Sequence, residues 1–299
     1  RAEELLDNDI EPAVFSYRDA EMFSRKAVET GREVKIHIAA DTGMCRIGYV
    51  PSPEAIEEVK KIAALPGIAM QGIFTHFSEA DIADKEWAHE QHRRFSDFID
   101  ALKAVGVTFN IHHCCNSAGT LELPDFHREM IRPGIIQYGY DASKEVLVTG
   151  TKIKPVMSLR CCITHLKTIY EGDCVGYGRH FTATGPTKIA TLPIGYADGY
   201  NRALSSKIDV IVHGVRAHQV GNICMDQCMI DVSHIPDVKV GDEVVLFGEQ
   251  GSECVSADEI ADTCHTIIHE ITCNINRRVP RIYVQNGKIV QRLEYLTQS

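Results

Sequence analysis

Several features that define other protein classes are missing from this 299-residue sequence. It has no run of about 20 apolar residues, the length that a membrane-spanning helix needs, and nothing in it resembles a signal peptide. Its 11 cysteines form no Cys-x-x-Cys pair and no short repeating framework, so neither a zinc ribbon nor a disulfide scaffold is indicated. These absences predict a cytoplasmic protein with reduced thiols.

Positively charged residues are also outnumbered by negatively charged ones, 31 to 41. The formal net charge of −10 would repel nucleic acid and anionic membranes, which argues against both as partners. Hydrophobic residues make up 44% of the chain, enough for a sizeable core and, at this length, for about two domains. A small-molecule partner is therefore expected.

The first half of the sequence alternates short apolar runs with helical patterns, a rhythm typical of a parallel sheet. Helices are predicted over residues 18–30, 52–65 and 85–105. Five parallel strands are predicted near residues 12–16, 34–40, 69–75, 107–113 and 129–136. A doubly wound sheet accepts five strands, whereas a closed eight-stranded barrel needs three more.

Polar side chains at the C-terminal ends of these strands favour the barrel. They are Arg46, His76, Ser117 and Arg132. A (β/α)8 TIM-type barrel builds its site from converging strand ends, while an open sheet more often uses a glycine-rich turn, and no GxGxxG motif follows a strand here. Residues 1–150 are therefore predicted to form a partial TIM-type α/β barrel.

The rhythm changes near Gly150, where strand patterns begin to follow one another directly. A capping-box helix is predicted at Ser256 to Glu259, and a final hairpin is predicted to turn at Asn286-Gly287. Residues 151–299 are therefore predicted to form a second, mostly β domain.

Seven sequence blocks resemble, in the same order, those of the fold-type III, pyridoxal-phosphate-dependent alanine racemases, and the resemblance runs from about Ile10 to Arg281. The blocks are DTGMCRIGY (41–49), GIFTHFSEAD (72–81), NSAG (116–119), IRPGIIQYG (131–139), VGYG (175–178), LPIGYADGY (192–200) and GNICMDQCM (221–229). The resemblance implies racemisation of L-alanine and D-alanine for peptidoglycan, by a homodimer with shared active sites. Racemisation of serine or another small amino acid, and a non-catalytic pyridoxal-phosphate-binding protein, are the alternatives.

By this resemblance, Arg132 donates a hydrogen bond to the pyridine nitrogen of pyridoxal 5'-phosphate. An arginine does not give up its proton, so the nitrogen would stay unprotonated and the ring would be a weaker electron sink than in a transaminase. Negative charge would then stay nearer the α carbon and favour return of a proton there. Judged alone, Arg132 would also suit a surface salt bridge.

The resemblance places the phosphate of the cofactor against Ser117 and the backbone amides of Gly134 and Ile135. Loops after the last strands of such barrels commonly bind phosphate in this way. Judged by its own sequence neighbours, Ser117 is better interpreted as a helix N-cap, and it could serve both roles. Arg277 stands where many family members have a phosphate-binding tyrosine, so its part in binding phosphate is an open question.

Two proton carriers act on opposite faces of the α carbon in this family, a lysine and a tyrosine. The resemblance assigns the tyrosine to Tyr177, contributed by the partner subunit. A phenol ordinarily titrates near pH 10 and needs help to act as a base. The resemblance implies that His76 gives this help by bridging Tyr177 and Arg132.

Substrate contacts are also implied by the resemblance. Arg46 matches the arginine beside the substrate carboxylate. Ala39 stands where some members have a carbamylated lysine that orients this arginine, so another group, such as a bound anion, is expected to orient it here. Met225 matches a residue whose backbone meets the substrate from the second subunit, and Tyr196 matches one that lines the entrance. Judged alone, Met225 would be a core methionine.

The family's Schiff-base lysine lies in a motif like KANAYGHG, and no such motif occurs in this sequence. We therefore expect that the first three barrel strands and the lysine are lacking, and that these 299 residues alone are inactive. No metal is expected, because the adjacent residues His112, His113, Cys114 and Cys115 would point to opposite faces of a strand.

Overall fold

The computed structural model describes residues 1–145 and 153–296. It divides into two compact units, Arg1–Lys154 and Pro155–Ser299, called here the α/β unit and the β unit. The domain boundary predicted at residue 150 lies outside the described residues. No helix within the described residues is long and apolar enough to cross a membrane.

The α/β unit contains a sheet of four parallel strands in the order β1-β2-β3-β4. Its strands and helices are α1 (Ala2–Asp7), β1 (Ala13–Val14), α2 (Tyr17–Thr30), β2 (Val34–Ala39), α3 (Pro53–Ala63), β3 (Ile68–Phe74), α4 (Glu86–Ala104), β4 (Ile111–His113) and α5 (Ser117–Glu122). The three helices predicted from the sequence are confirmed as α2, α3 and α4.

Side-chain caps mark the beginnings of α2 and α3. The hydroxyl of Ser16 accepts a hydrogen bond from the Asp19 amide, and that of Ser52 accepts one from the Ala55 amide. Each cap satisfies a backbone donor that the first helical turn leaves unpaired. Helix α2 ends at Thr30, and the following Gly31 has a φ of 64°, which suits a residue without a side chain.

The predicted fifth strand, residues 129–136, is wrong. This segment contains no strand and runs into a 3-10 turn, Ile135–Tyr138. Only the amide of Arg132 continues the sheet pattern, by donating to the carbonyl of Cys115 over 2.9 Å. The next residue, Pro133, has no N–H to donate, so the ladder stops there. The chain therefore turns directly after it has placed Arg132 beside the end of β4.

The core of the α/β unit lies between the sheet and its helices. Ile36, Ile38 and Ile73 on the central strands have no exposed surface, and neither do Phe95 and Leu102 on α4. Burial of each such side chain contributes about 1.5–3 kcal/mol. This packing fixes the strand ends from which the polar residues project.

The β unit is mostly β, as predicted, and every strand pair in it that is described is antiparallel. An eight-stranded sheet has the order β14-β13-β10-β11-β12-β9-β6, with β5 also paired to β13. The elements are β5 (Leu159–Cys162), β6 (His165–Ile169), β7 (Cys174–Val175), β8 (Phe181–Thr182), β9 (Thr187–Leu192), β10 (Asp209–Val212), β11 (Val215–Val220), β12 (Cys228–Asp231), β13 (Glu243–Gln250), β14 (Glu253–Val255), α6 (Ala257–Thr263), α7 (Ile268–Asn274), β15 (Arg281–Gln285) and β16 (Lys288–Leu293).

Two local predictions for the β unit are confirmed. Ser256 caps α6 by accepting a hydrogen bond from the Glu259 amide. The hairpin of β15 and β16 turns at Asn286 and Gly287, whose φ values of 51° and 73° are those of a type I′ turn. Both features depend only on residues that are adjacent or nearly adjacent in the sequence.

The Phe95→Ala substitution is expected to lower the free energy of unfolding of the α/β unit by about 3–5 kcal/mol, because it removes a fully buried ring and leaves a cavity. Val28→Ala on α2, where the side chain is 60% exposed, is the control and should change it by less than about 0.5 kcal/mol. Urea unfolding followed by the fluorescence of Trp87, the one tryptophan of the chain, measures both. Equal effects would contradict the assigned core.

Candidate active site

Arg132 is a half-buried cation held by neutral acceptors. Its Nη1 donates to Nδ1 of His113 over 2.6 Å, and its Nη2 donates to the carbonyl of Thr75 over 2.7 Å. Nη2 also lies 3.4 Å from the Cys114 carbonyl and 3.4 Å from Nδ1 of His76. Burial lowers the pKa of Arg132, and the charge of Arg46 lowers it further. The guanidinium is thereby fixed at the strand ends.

The bond between Arg132 and His113 determines the protonation of the imidazole. A guanidinium can only donate, so Nδ1 of His113 must accept and the ring must be neutral. Burial and the charge of Arg132 agree with this, because they lower the pKa of His113 to about 3. Sequence reasoning considered His113 only as a metal ligand and missed this contact, although a histidine at a strand end was a visible signal.

His76 is the second neutral imidazole beside Arg132. Burial, followed by the charges of Arg132 and Arg46, lowers its pKa to about 4. Its Nδ1 faces a donor of Arg132 at 3.4 Å, so its proton resides on Nε2. His76 therefore presents an N–H group on the side away from Arg132, and Arg46, although exposed, lies near enough to act on both groups electrostatically.

Ser117 joins two segments of the α/β unit. Its Oγ accepts a hydrogen bond from the amide of Gly134 over 2.8 Å. The N-cap of α5 is Asn116, whose side chain accepts from the Gly119 amide, so the alternative interpretation of Ser117 as the cap is wrong. The Ser117 side chain is almost fully buried, and Ile135, which follows Gly134, is buried as well.

Ala39 offers nothing that could orient Arg46. Its side chain is a single methyl group with no exposed surface. The next polar side chain in the sequence is Asp41, whose carboxylate accepts hydrogen bonds from the amides of Gly43 and Cys45. The hydroxyls of Thr42 and Thr75 bond to each other over 2.7 Å. The sequence-based expectation that another group replaces the carbamylated lysine therefore stays a prediction.

The β unit presents the other three predicted site residues on loops that meet along residues 222–225. The side-chain amide of Asn222 donates to the carbonyl of Tyr177 over 2.7 Å. The amide of Tyr196 donates to the carbonyl of Cys224 over 3.1 Å, one residue before Met225. Tyr177, Tyr196 and Met225 are 73%, 43% and 54% exposed. Their backbones are therefore held in place while their side chains reach solvent.

Glycine is required where these loops touch. A Cβ atom at Gly195 would lie 2.2 Å from the carbonyl oxygen of Cys224, and one at Gly178 would lie 2.5 Å from the ring of His180. Gly178 also has a φ of 76°, which side chains disfavour. Gly195 therefore permits the close approach of two backbone segments, and Gly178 leaves room for the His180 ring.

Arg278 ties two of the loops together and was missed in the sequence. Its Nε donates to Asp198 over 2.7 Å and its Nη2 donates to Asp226 over 2.5 Å. Both ion pairs raise the pKa of Arg278. The neighbouring Arg277 instead lies over the ring of Tyr295, with 5.6 Å between its Cζ and the ring centroid. Two adjacent arginines gave no sequence signal to separate these roles.

The neutral histidines predict a pH dependence of stability. An unfolded histidine titrates near pH 6.5, whereas His76 and His113 do so near 4 and 3 in the fold. The stability that these two neutral side chains contribute to the fold is therefore present above about pH 6.5. It is lost as the pH falls through that value towards the folded pKa values, because the unfolded histidines take up protons first. In urea unfolding at pH 7 and pH 4, His113→Gln should show a smaller loss of unfolding free energy than the parent chain. An equal loss would contradict the assignment.

Family comparisons agree with this arrangement. The family model "Alanine racemase, N-terminal domain" matches residues 1–142, and "Alanine racemase, C-terminal domain" matches residues 156–283. Alanine racemase 1 of Clostridium acetobutylicum is 45% identical over 292 residues, which cover 98% of this chain and 76% of that protein.

Solved structures give the same result. The alanine racemase of Clostridium difficile 630 has a TM-score of 0.93 at 38% identity, covering 99% of this chain and 76% of that one. The alanine racemase of Bacillus anthracis, solved with bound L-Ala-P, has a TM-score of 0.89 at 34% identity, covering 98% and 75%. These likenesses confirm the predicted barrel-type α/β domain and C-terminal β domain. The chain therefore belongs to the alanine racemase family of isomerases.

Proposed function

We propose that the chain, when completed by a lysine that binds the cofactor, interconverts L-alanine and D-alanine with pyridoxal 5'-phosphate, supplying D-alanine for peptidoglycan. The observation that carries this proposal is the environment of Arg132, a half-buried cation whose hydrogen-bond acceptors among the described residues are two imidazole nitrogens and two backbone carbonyls. A structural arginine at this depth usually has a carboxylate partner. Arg132 instead suits a ligand atom that accepts a hydrogen bond without taking the proton.

The pyridine nitrogen of pyridoxal phosphate is such an atom. The hydrogen bonds of Arg132 to the described residues use Nη1 and Nη2, which leaves its Nε–H available to a ligand. When bound, the cofactor would withdraw electrons from the α carbon of the amino acid. Arg132 would hold the ring without protonating it, because its pKa, although lowered by burial, is that of a guanidinium.

We propose that the phosphate of the cofactor binds near Ser117 and Ile135. Ser117 is buried at the start of α5, and its hydroxyl oxygen already accepts from Gly134, so the hydroxyl hydrogen is the group that it would offer to phosphate. The amide of Ile135 begins the 3-10 turn that follows. The amide of Gly134 would then shape the loop by holding Ser117.

Tyr177 is proposed to move the proton on one face of the α carbon. Its phenol is exposed while Asn222 holds its backbone, which suits a residue that completes a site on another copy of the chain. The Nε2–H of His76 would donate to the phenol oxygen and stabilise it after it has lost its proton. Arg46 would bind the substrate carboxylate, and Tyr196 and Met225 would line the approach. The working unit would be a homodimer.

The second proton carrier would be a lysine that also binds the cofactor. The lysines of the α/β unit whose partners are described engage carboxylates, and among these pairs are Lys26–Glu29, Lys35–Glu11, Lys60–Glu57 and Lys85–Glu122. None of these suits a free amine beside Arg132. We therefore propose that the 299 residues alone do not racemise alanine.

The test uses a chimera in which the part of the Clostridium acetobutylicum relative that this chain does not match is fused to it. The chimera should form D-alanine from L-alanine, and the unfused chain should not. In the chimera, Tyr177→Phe should lower the rate about 100-fold or more, since it removes a proton carrier, and should leave the affinity for pyridoxal phosphate unchanged.

Tyr170→Phe is the matched control, because Tyr170 is 62% exposed on the same unit and has no proposed role. It should retain full activity. Parallel losses of rate and cofactor affinity in Tyr177→Phe would contradict the role of this tyrosine, and D-alanine formation by the unfused chain would contradict the role of the lysine.

A further inference from the structure

A continuous row of hydrogen bonds leads from Arg132 across the sheet to an acidic side chain. Beyond the bond from Arg132 to His113, Nε2 of His113 lies 2.8 Å from Nδ1 of His37, and Nε2 of His37 lies 2.8 Å from a carboxylate oxygen of Glu11. His37 and His113 are buried, while Glu11 is partly exposed. Four residues from separate parts of the α/β unit thus form one row.

The order of protons along this row follows from its two ends. Arg132 can only donate, so His113 accepts at Nδ1 and carries its proton on Nε2. This Nε2–H donates a hydrogen bond to Nδ1 of His37, so His37 must carry its own proton on Nε2. A carboxylate can only accept a hydrogen bond, and Glu11 is placed to accept one from the Nε2–H of His37. Both ends therefore require the same direction of donation.

The sheet is shaped to allow this row. His37 on β2 is opposite Gly72 on the intervening strand β3, and His113 lies on the far side of β3. A Cβ atom at Gly72 would lie 2.2 Å from Nδ1 of His37. Phe74, two residues later, stacks on His113 with 5.1 Å between ring centroids. The missing side chain at Gly72 lets the imidazoles meet across β3.

We propose that Glu11 and His37 are positioning residues for Arg132, because they hold His113 in the tautomer that accepts from the guanidinium. The inference rests on the proposed function, since it is the cofactor-binding arginine that is positioned. A donor at position 11 would oppose the direction set by Arg132 and break one bond of the row. An uncharged acceptor of the same shape would preserve it.

This prediction is specific to the direction of donation and not to size or packing. Glu11→Gln keeps an acceptor oxygen and should preserve the row, whereas Glu11→Lys presents only donors and should disrupt it. The matched control is Glu129→Lys. Glu129 accepts from the backbone amide and from Nδ1 of His112 over 2.8 and 2.9 Å, so it pairs with the neighbour of His113 on β4 and not with a member of the row.

The readout that needs no cofactor is the nitrogen NMR spectrum of the histidine rings in the 299-residue chain. The parent chain, Glu11→Gln and Glu129→Lys should all show His113 and His37 protonated at Nε2 and unprotonated at Nδ1. Glu11→Lys should change the ring shifts of His37 or His113. It should also weaken binding of pyridoxal phosphate about tenfold, the effect of one charge-assisted hydrogen bond, while Glu11→Gln should not.

Two results would overturn the inference. One is a His113 ring protonated at Nδ1 in the parent chain, and the other is a Glu11→Lys variant with the ring shifts of the parent. Failure of the proposed function is distinguishable from both. If the ring shifts follow the prediction but no form of the chimera binds pyridoxal phosphate, the positioning of Arg132 is supported and the cofactor assignment is contradicted.

Discussion

The hydrogen bond from Arg132 to His113 is the interaction on which the candidate site depends. Because a guanidinium has donors and no acceptor, it imposes one tautomer on His113 and excludes the charged imidazole. It also leaves the site with a cation that no carboxylate neutralises among the described residues. A ligand that accepts a hydrogen bond is bound more tightly because of this charge. A ligand that must take a proton from the protein is not, because a guanidinium keeps its protons.

The rest of the α/β unit places this cation. Buried isoleucines fix the central strands, and the end of β4 receives the amide of Arg132 at Cys115. The proline that follows ends the ladder and turns the chain towards Ser117, which holds Gly134. In the β unit, hydrogen bonds to residues 222–225 and the two ion pairs of Arg278 hold the loops of Tyr177, Tyr196 and Met225.

Sequence patterns predicted what depends on neighbouring residues. The cap at Ser256 and the turn at Asn286-Gly287 were predicted because each needs only a few adjacent side chains. The false fifth strand shows the limit, since an apolar run does not reveal that Pro133 stops the ladder. Contacts between distant residues were also invisible. Glu11 and His113 are 102 positions apart, and only the pairing of β2, β3 and β4 brings them into one row.

Arg132 is proposed to hold the cofactor as a hydrogen-bond donor that keeps its own proton. The direct measurement is the nitrogen NMR shift of pyridoxal phosphate labelled with nitrogen-15 in its ring and bound to the chimera, with an Arg132→Glu variant as the protonated reference. In the parent protein we expect an unprotonated pyridine nitrogen that accepts a hydrogen bond. A pyridinium shift equal to that of the Arg132→Glu variant would contradict it.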